Sequence, residues 1–229
     1  MYKYLLLLAV ISFSFVLRAS NPLDTDSLKQ WSHSATTALN FSQVSFSNWS
    51  AGGESSISAT GLLKCAIAYK DSTKIWDNNL DLAFGIIRQG DLGSIAKSDD
   101  RIELNSSYGW SVFNKGYYNM SVNLKSQAAK GYKSPTDSTL ISDFLAPAYS
   151  TVSIGLSHKS DNGNLNLQVL PLSGKITYVN NQFLADEGAF GLQGAAYNSE
   201  GVLVSTGQRF RSEFGGSLKL QYKKSDIKV

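Results

Sequence analysis

The chain divides at its turns into stretches of roughly 10 to 16 residues in which apolar and polar side chains alternate strictly. In the clearest stretch, 117–128, Tyr118, Met120, Val122 and Leu124 alternate with Asn119, Ser121, Asn123, Lys125 and Gln127. A period of two is typical of a β-strand with two different faces. Such strands are longer than the ~5–6 residues usual in soluble sheets and suit the ~9–11 residues that a tilted strand needs to cross a bilayer.

The pattern therefore predicts an all-β fold, an antiparallel up-and-down transmembrane β-barrel. We expect eight strands, at about 36–46, 54–70, 74–88, 100–113, 117–128, 148–159, 164–172 and 208–223. The connections after the first, third, fifth and seventh strands are long, and those after the second, fourth and sixth are tight. Transmembrane barrels have short periplasmic turns and longer extracellular loops. We therefore place loops 47–53, 89–98, 131–146 and 173–207 outside the cell and turns 71–73, 114–116 and 159–163 in the periplasm.

Aromatic residues near the strand ends favour the membrane interpretation. Membrane barrels carry aromatic girdles at both interfaces with water. The alternative is a soluble β-sandwich with one buried face. The residues that we expect on the apolar face at these ends are Trp76, Tyr108, Trp110, Tyr118, Tyr149 and Tyr222.

The first twenty residues have the pattern of a signal peptide. Lys3 precedes the apolar run 4–17, and Ala19 and Ser20 provide a small-residue cleavage site. The run is shorter than the ~20 residues that a spanning helix needs. We expect residues 1–20 to be removed, 21–35 to form a periplasmic segment and 36–229 to form the barrel domain. The final residues, 226–229, lack a closing aromatic strand, so we expect a longer protein of about twelve strands.

Composition is consistent with export and argues against several other functions. Lys and Arg number 21 against 18 Asp and Glu, and loss of Lys3 and Arg18 with the signal leaves 19 against 18. This balance gives no electrostatic field that would attract nucleic acid. The single cysteine, Cys65, excludes an internal disulfide and a multi-cysteine metal site.

Charged residues of both signs share the polar face of the predicted strands. In a barrel they would line the lumen, where opposite charges can pair across strands. We favour a filled, internally paired lumen over a water-filled channel. Arg209, Arg211 and Glu213 are expected to meet Asp77, Asp81 or Glu103 across the interior. The lumen-lining charges are Lys64, Asp77, Asp81, Arg101, Glu103, Lys125, Arg209, Arg211, Glu213 and Lys219.

Catalytic and metal-binding signals are weak, and we predict neither a catalytic residue, a metal nor a cofactor. His158, with Asp161 nearby, could act as the base of a lipid hydrolase, although a polar residue at a tight turn is usually just solvated. Carboxylates at the outer rim offer oxygen ligands for calcium, but no ligand spacing repeats. These rim residues are Asp91, Asp99, Asp100, Asp137, Asp143, Asp186 and Glu187.

Several short motifs are distinctive, and the most specific is the block Asn48-Trp49-Ser50-Ala51-Gly52-Gly53-Glu54, within 39–58. The others lie at 76–78, 141–149, 171–175, 184–186 and 210–216. These motifs resemble a family of Bacteroidetes outer-membrane β-barrels known as a domain of unknown function, DUF3078. The resemblance implies an outer-membrane location and a barrel fold, and brings no catalytic residues. The motif residues are Asn48, Trp49, Gly52, Gly53, Glu54, Asp143, Pro147, Pro171, Gly174, Lys175 and Asp186.

Together these observations predict a non-enzymatic protein in the outer membrane of a Gram-negative bacterium. Its role would be structural or accessory, or that of a small pore. Its expected partners are outer-membrane lipid and lipopolysaccharide, with other envelope proteins as further candidates and no nucleic acid. An outer-membrane lipid hydrolase and a soluble periplasmic β-sandwich binding protein are the alternatives.

Overall fold

A computed structural model shows an all-β chain dominated by one large antiparallel sheet. It describes residues 9–20, 30–46, 53–90, 93, 95–113, 116–133, 137–160 and 164–222. The predicted fold class, all-β and antiparallel, is confirmed. No helix among these residues is long and apolar enough to cross a membrane.

The large sheet contains nine strands, which are joined to four very short ones and two short helices. The large strands are β1 (Ala9–Ser20), β2 (Gln30–Ser45), β3 (Ser56–Lys70), β4 (Lys74–Gln89), β5 (Ile95–Phe113), β6 (Gly116–Ser126), β9 (Ala148–Lys159), β10 (Leu165–Tyr178) and β13 (Phe210–Tyr222). The short elements are β7 (Gly131–Tyr132), β8 (Leu140–Ser142), α1 (Gln182–Asp186), a 3-10 turn (Ala189–Gly191), β11 (Ala196–Tyr197) and β12 (Leu203–Ser205).

Strand order in the sheet follows chain order, β1-β2-β3-β4-β5-β6-β9-β10-β13, and every pairing is antiparallel. This is the up-and-down arrangement that the alternation of strands and turns predicts. The described sheet is open, with β1 at one edge and β13 at the other. The strand ends that flank segments 46–55, 90–94, 127–147 and 179–209 lie at one end of the sheet, here called the long-loop end. The strand ends that flank 71–73, 114–115 and 160–164 lie at the opposite end, here called the short-turn end.

The connections at the long-loop end are longer than those at the short-turn end in most cases, but not in all. Segment 90–94 is no longer than 160–164, because β5 begins at Ile95 inside the predicted loop 89–98. Residues 114–115 and 161–163, in two of the predicted tight turns, lie outside the described residues. The turn at 71–73 is held by Asp71, whose carboxylate accepts hydrogen bonds from the backbone N–H groups of Thr73 and Lys74 and from the Tyr69 hydroxyl. These bonds, the Thr73 backbone bond first, lower the pKa of Asp71 to about 2.

The first strands of the sheet begin earlier than the alternation pattern indicates. Strand β2 starts at Gln30, within the predicted periplasmic segment 21–35, because β3 extends to Lys70 and offers pairing partners that far. Strand β1 lies within the predicted signal peptide and pairs with β2 from Ala9↔Ser45 to Ser20↔Ser34. The sheet without β1 has eight strands, the number expected from the sequence.

A β-bulge in β10 explains why its predicted end at Leu172 is wrong. The register with both neighbours shifts between Val169 and Ser173, and the strand continues to Tyr178. Pro171 lacks an N–H donor, and prolines in sheets are confined to edges and bulges. The extra residue reverses which residues face each side, so the simple alternation is broken at this point.

The register gives the sheet two chemically different faces. Successive neighbours Leu80, Leu104 and Leu124 lie side by side on what we call the apolar face. On the opposite, polar face the neighbouring row contains Asn79, Asn105, Asn123, Thr151 and Lys175. The apolar face is exposed: Phe214, Leu218 and Leu172 have exposed fractions of 90%, 72% and 69%.

Aromatic side chains form a belt across the apolar face at the short-turn end. Trp31, Tyr69, Trp76 and Tyr108 occupy adjacent positions of β2 to β5. The Trp31 ring lies 4.9 Å from that of Tyr69, and the Trp110 ring lies 5.7 Å from that of Tyr118. A second aromatic pair, Tyr178 and Phe210, lies at the long-loop end with ring centroids 4.6 Å apart.

The expected position of Tyr149 on the apolar face is wrong. In β9, Val152 and Ile154 lie on the apolar face, so Tyr149, at an odd position, shares the polar face with Thr151. Its direct neighbours there are Lys125 and Thr177, and the ammonium of the diagonal neighbour Lys175 lies 5.0 Å from the centre of the Tyr149 ring. This geometry is that of a cation–π contact.

Gly155 is required by the bulge that lies opposite it. A Cβ atom at this position would lie 2.7 Å from Leu170 Cα and 2.9 Å from Pro171 Cδ, and would also clash with the Val169 carbonyl.

We predict that Gly155→Ala lowers the free energy of unfolding by about 1–3 kcal/mol, as overpacking does. Urea unfolding of the refolded protein measures this loss of stability. Gly215→Ala, where nothing lies within 4 Å of the added carbon, is the control; equal losses in both variants would refute the steric explanation.

Candidate functional site

The polar face carries a transverse row of four charges, two carboxylates flanked by a lysine on each side. Lys64 of β3, Asp81 of β4, Glu103 of β5 and Lys125 of β6 are direct neighbours across four strands. The Lys64 ammonium lies 3.4 Å from Asp81, and Arg101 Nη2 lies 3.2 Å from the other Asp81 oxygen. Charges on adjacent strands therefore neutralise one another locally.

Among the described residues, Arg209, Arg211 and Glu213 make local contacts rather than the predicted pairs across the interior. Arg211 pairs with Glu213 of its own strand at 2.9 Å and donates to the Gly191 carbonyl oxygen, while Lys175 of β10 lies 3.6 Å from Glu213. Arg209 precedes β13 and donates from Nε to Gln182 Oε1. None of these contacts reaches Asp77, Asp81 or Glu103, because opposite charges on adjacent strands are closer than those across the sheet.

Beside this row of charges the polar face carries amide and hydroxyl side chains. Asn123 donates to Asn105 Oδ1 at 2.6 Å and to Glu103 Oε1 at 3.1 Å. One row along, Ser107, Ser121, Ser153 and Ser173 are successive neighbours on β5, β6, β9 and β10. Ser153 and Ser173 share a hydrogen bond of 2.7 Å.

The sheet curls around this polar face and leaves a cleft. A cavity of about 510 Å³ is lined by side chains of β4, β5, β6, β9, β10 and β13. Six strands of a flat sheet would span roughly 24 Å at ~4.8 Å per strand. A shared cavity therefore requires the polar face to be concave. Asp77, Glu103 and Lys219, three of the predicted lumen-lining charges, lie at this cleft.

The described parts of the two longest connections, residues 127–133, 137–147 and 179–209, pack together as a loop cap. Its centre is a small cluster of buried residues: Ala146, Val179, Leu184, Ala185 and Leu192. This cluster contains most of the fully buried apolar side chains among the described residues. The sequence pattern predicted long connections here, the second with room for extended or helical pieces, but gave no sign of this cluster because the apolar residues follow neither helical nor strand periodicity.

Two carboxylates anchor the loop cap. Asp186 accepts hydrogen bonds of 2.7 Å from Gln182 Nε2 and from the Gly207 N–H. Asp143 accepts from Asn181 Nδ2 at 2.9 Å, and this bond lowers the pKa of the Asp143 carboxyl. The Asn181 side chain also accepts from Leu184 N and thereby caps α1. Both carboxylates belong to the motif residues identified in the sequence.

A largely buried lysine, Lys97, ties the loop cap to β5. The Lys97 ammonium lies 2.8 Å from Asp100 Oδ2 and from Gln127 Oε1, and 2.7 Å from the Ala129 carbonyl oxygen. Asp100 is only 2% exposed and also accepts from the backbone N–H groups of Ala128 and Ala129. Sequence reasoning missed this contact because it placed Lys97 in an open loop and Asp100 among solvated rim carboxylates.

The rim carboxylates do not converge. Asp100, Asp143 and Asp186 each serve a different contact of the loop cap, and Asp91 lies outside the described residues. Within the part of the chain that the structure describes, no group of three or more His, Cys, Asp and Glu side chains could hold a metal ion.

The hydrolase hypothesis finds no partner for its histidine among the described residues. His158 lies at the end of β9, opposite Leu167 and Gly116, and its side chain makes no hydrogen bond there. Asp161 lies outside the described residues.

Of the remaining motif residues, Pro147, Gly174, Gly53 and Glu54 lie within the described part of the chain. Pro147 is buried and its carbonyl oxygen accepts from Ser126. Gly174 lies between Val152 and Phe214 on the apolar face. Gly53 adopts a positive φ of 118° beside Glu54, while Asn48, Trp49 and Gly52 lie outside the described residues.

The Lys97 contact gives a direct test of how the loop cap is held. We predict that Lys97→Met lowers the free energy of unfolding by about 3–5 kcal/mol, because it leaves the Asp100 carboxylate buried without its cation. The matched change Lys64→Met removes a pair whose lysine is 59% exposed and should cost less than about 1 kcal/mol. Urea unfolding of both variants measures the difference. A small loss for Lys97→Met would show that Asp100 does not need its lysine.

Comparison with known proteins identifies one family. Residues 41–132, from the end of β2 to β7, match the family described as "Protein of unknown function (DUF3078)". No curated protein and no solved structure matches the chain. The matched segment includes the Asn48–Glu54 block, whereas the motif residues from Asp143 onward lie beyond it. The predicted resemblance to DUF3078 is thus confirmed for residues 41–132, which match that family.

Proposed function

We propose that this chain is an outer-membrane β-barrel protein of a Gram-negative bacterium, exported by a cleaved signal peptide at residues 1–20. It has no catalytic activity and acts as a structural or accessory protein of the envelope. Its immediate partners are outer-membrane lipid and lipopolysaccharide, and other envelope proteins could bind its loop cap.

The exposed apolar face is the observation that supports this proposal. Rows such as Leu63, Leu82 and Ile102 run side by side across the sheet with their side chains partly or largely exposed. Soluble monomers rarely expose a continuous apolar surface of more than a few hundred Å². Lipid chains would cover this face, and the strand lengths, 11 to 19 residues in the eight strands after β1, suffice to cross a bilayer.

The distribution of polar groups on the apolar face supports a lipid environment. Asn78 and Ser106 lie on this face, and Ser106 donates to Asn78 Oδ1 at 2.7 Å while Trp76 Nε1 donates to Ser106. A polar group in hydrocarbon is costly unless it is hydrogen-bonded. The aromatic belt at the short-turn end and the Tyr178–Phe210 pair at the opposite end have the positions expected for two interfaces.

Removal of the signal peptide would free the edge of β2 for closure. Strands β2 and β13 are the first and last of an even-numbered meander, so they run antiparallel to each other. They could therefore pair directly in an eight-stranded barrel, or through further strands in a larger one. Transmembrane strands need such closure because an open edge leaves backbone groups unsatisfied in lipid.

The interior favours a closed or filled lumen over an open channel. Lys64, Arg101 and Lys175 each pair with a carboxylate on the polar face, and the amides of Asn105 and Asn123 are hydrogen-bonded to Glu103. Eight-stranded barrels have interiors that side chains fill or that hold one small ligand. A small pore is the second candidate, and the cleft on the polar face is the observation that favours it.

Adjacent residues of β6 test the lipid assignment. Val122 lies on the apolar face and Ser121 on the polar face, where its hydroxyl makes no hydrogen bond to another described residue. We predict that Val122→Arg lowers the stability of the protein refolded in phosphatidylcholine vesicles by about 2–4 kcal/mol. Ser121→Arg, the control, should cost clearly less. Equal penalties would indicate a sheet buried on both sides and would exclude the membrane proposal.

Cysteine labelling of intact cells tests the orientation. In a Cys65→Ala background, a membrane-impermeant maleimide should label cysteines placed at Ser138 and Ser199 in the loop cap, and should not label Ser72→Cys. Ser72, Ser138 and Ser199 are all exposed, so accessibility in the protein itself does not decide the result. Labelling at position 72 alone would reverse the proposed orientation.

A further inference from the structure

The cleft on the polar face contains neutral side chains whose hydrogen-bonding capacity is unused. Asn79, Ser121, Thr151 and Gln168 line it, and none of these side chains is hydrogen-bonded to another described residue. They come from β4, β6, β9 and β10, so they surround the cavity rather than lying along a single strand. A hydroxyl both donates and accepts, and an amide offers two donors and an acceptor.

The charged groups beside the cleft are less available. Glu103 accepts hydrogen bonds from Asn105 and Asn123, which keep it within the protein network. Asp77 and Lys219 carry opposite charges, so they give the cavity little preference for either ion sign. The groups able to bind a guest are therefore the uncharged donors and acceptors.

We propose that this cleft is a binding site for one small uncharged polyhydroxylated molecule, of the size and chemistry of a monosaccharide. Ser121 and Thr151 are diagonal neighbours on paired strands, about 7–8 Å apart, so a single sugar ring reaches both hydroxyls. The cavity, at about 510 Å³, falls within the range of ligand sites. The inference rests on the proposed function, because closure of the barrel is what shelters such a ligand from bulk water.

The test measures the binding of glucose to the full chain refolded in detergent micelles. Saturation-transfer NMR detects the binding, and a titration gives its affinity. Acetate and ethylammonium are the charged comparison probes. We expect glucose to bind and the charged probes not to bind. The double variant Ser121→Ala, Thr151→Val removes two hydroxyls without breaking a hydrogen bond within the described protein. It should weaken glucose binding about tenfold, the effect of losing two typical hydrogen bonds.

The control is Ser150→Ala, which removes a hydroxyl from the apolar face next to Thr151 and should leave binding unchanged. Absence of glucose binding, stronger binding of a charged probe, or equal binding by the double variant would each overturn the inference. Insertion into phosphatidylcholine vesicles is measured in parallel. A protein that inserts but binds no glucose refutes the binding site alone, whereas a protein that does not insert refutes the proposed function and the inference with it.

Discussion

The structure depends on continuous antiparallel hydrogen bonding from β2 to β13. Each strand inside the sheet pairs its backbone groups with the strands on both sides of it, and these ladders hold adjacent strands together whichever side chains the two faces carry. The two faces can therefore differ completely in chemistry. Of the described apolar residues, few are fully buried, and most of those lie in the loop cap rather than in the sheet. The sheet therefore presents one face rich in exposed apolar side chains, the face that we propose contacts lipid.

The loop cap is the part of the chain that has a conventional hydrophobic core. Val179 and Leu184 are packed inside it, and Asp143 and Asp186 hold its segments together through amide and backbone donors. Lys97 and Asp100 connect this unit to the start of β5. The long connections are thus ordered by two kinds of contact, apolar packing at the centre and charge-assisted hydrogen bonds at the edge.

Strand positions were predictable from the sequence because alternation depends on local positions alone. Strands β3, β4 and β6 therefore lie close to their expected bounds. The alternation pattern does not predict the structure correctly where a contact between strands determines it. The bulge at Pro171 reverses the faces within β10, and Trp31 joins the aromatic belt because β3 is long enough to pair with it. The polar face was correctly expected to carry mixed charges. The partners of these charges were not correctly predicted, because ion pairing depends on which strands are adjacent. The paired arginines and lysines bind nearby carboxylates rather than distant ones.

The meander also has a kinetic consequence. A strand can pair only after the connection to its neighbour has closed, and closure entropy grows with the logarithm of loop length. The segment 179–209 is roughly ten times longer than the turn 71–73, which adds about 2 kcal/mol to the cost of closing it. The hydrogen bonds from Val179 N to Arg209 O and from Arg209 to Gln182 bring the two ends of this segment together. Assembly should therefore proceed from the β3–β4 hairpin outward, with β13 joining last and only after the loop cap has formed.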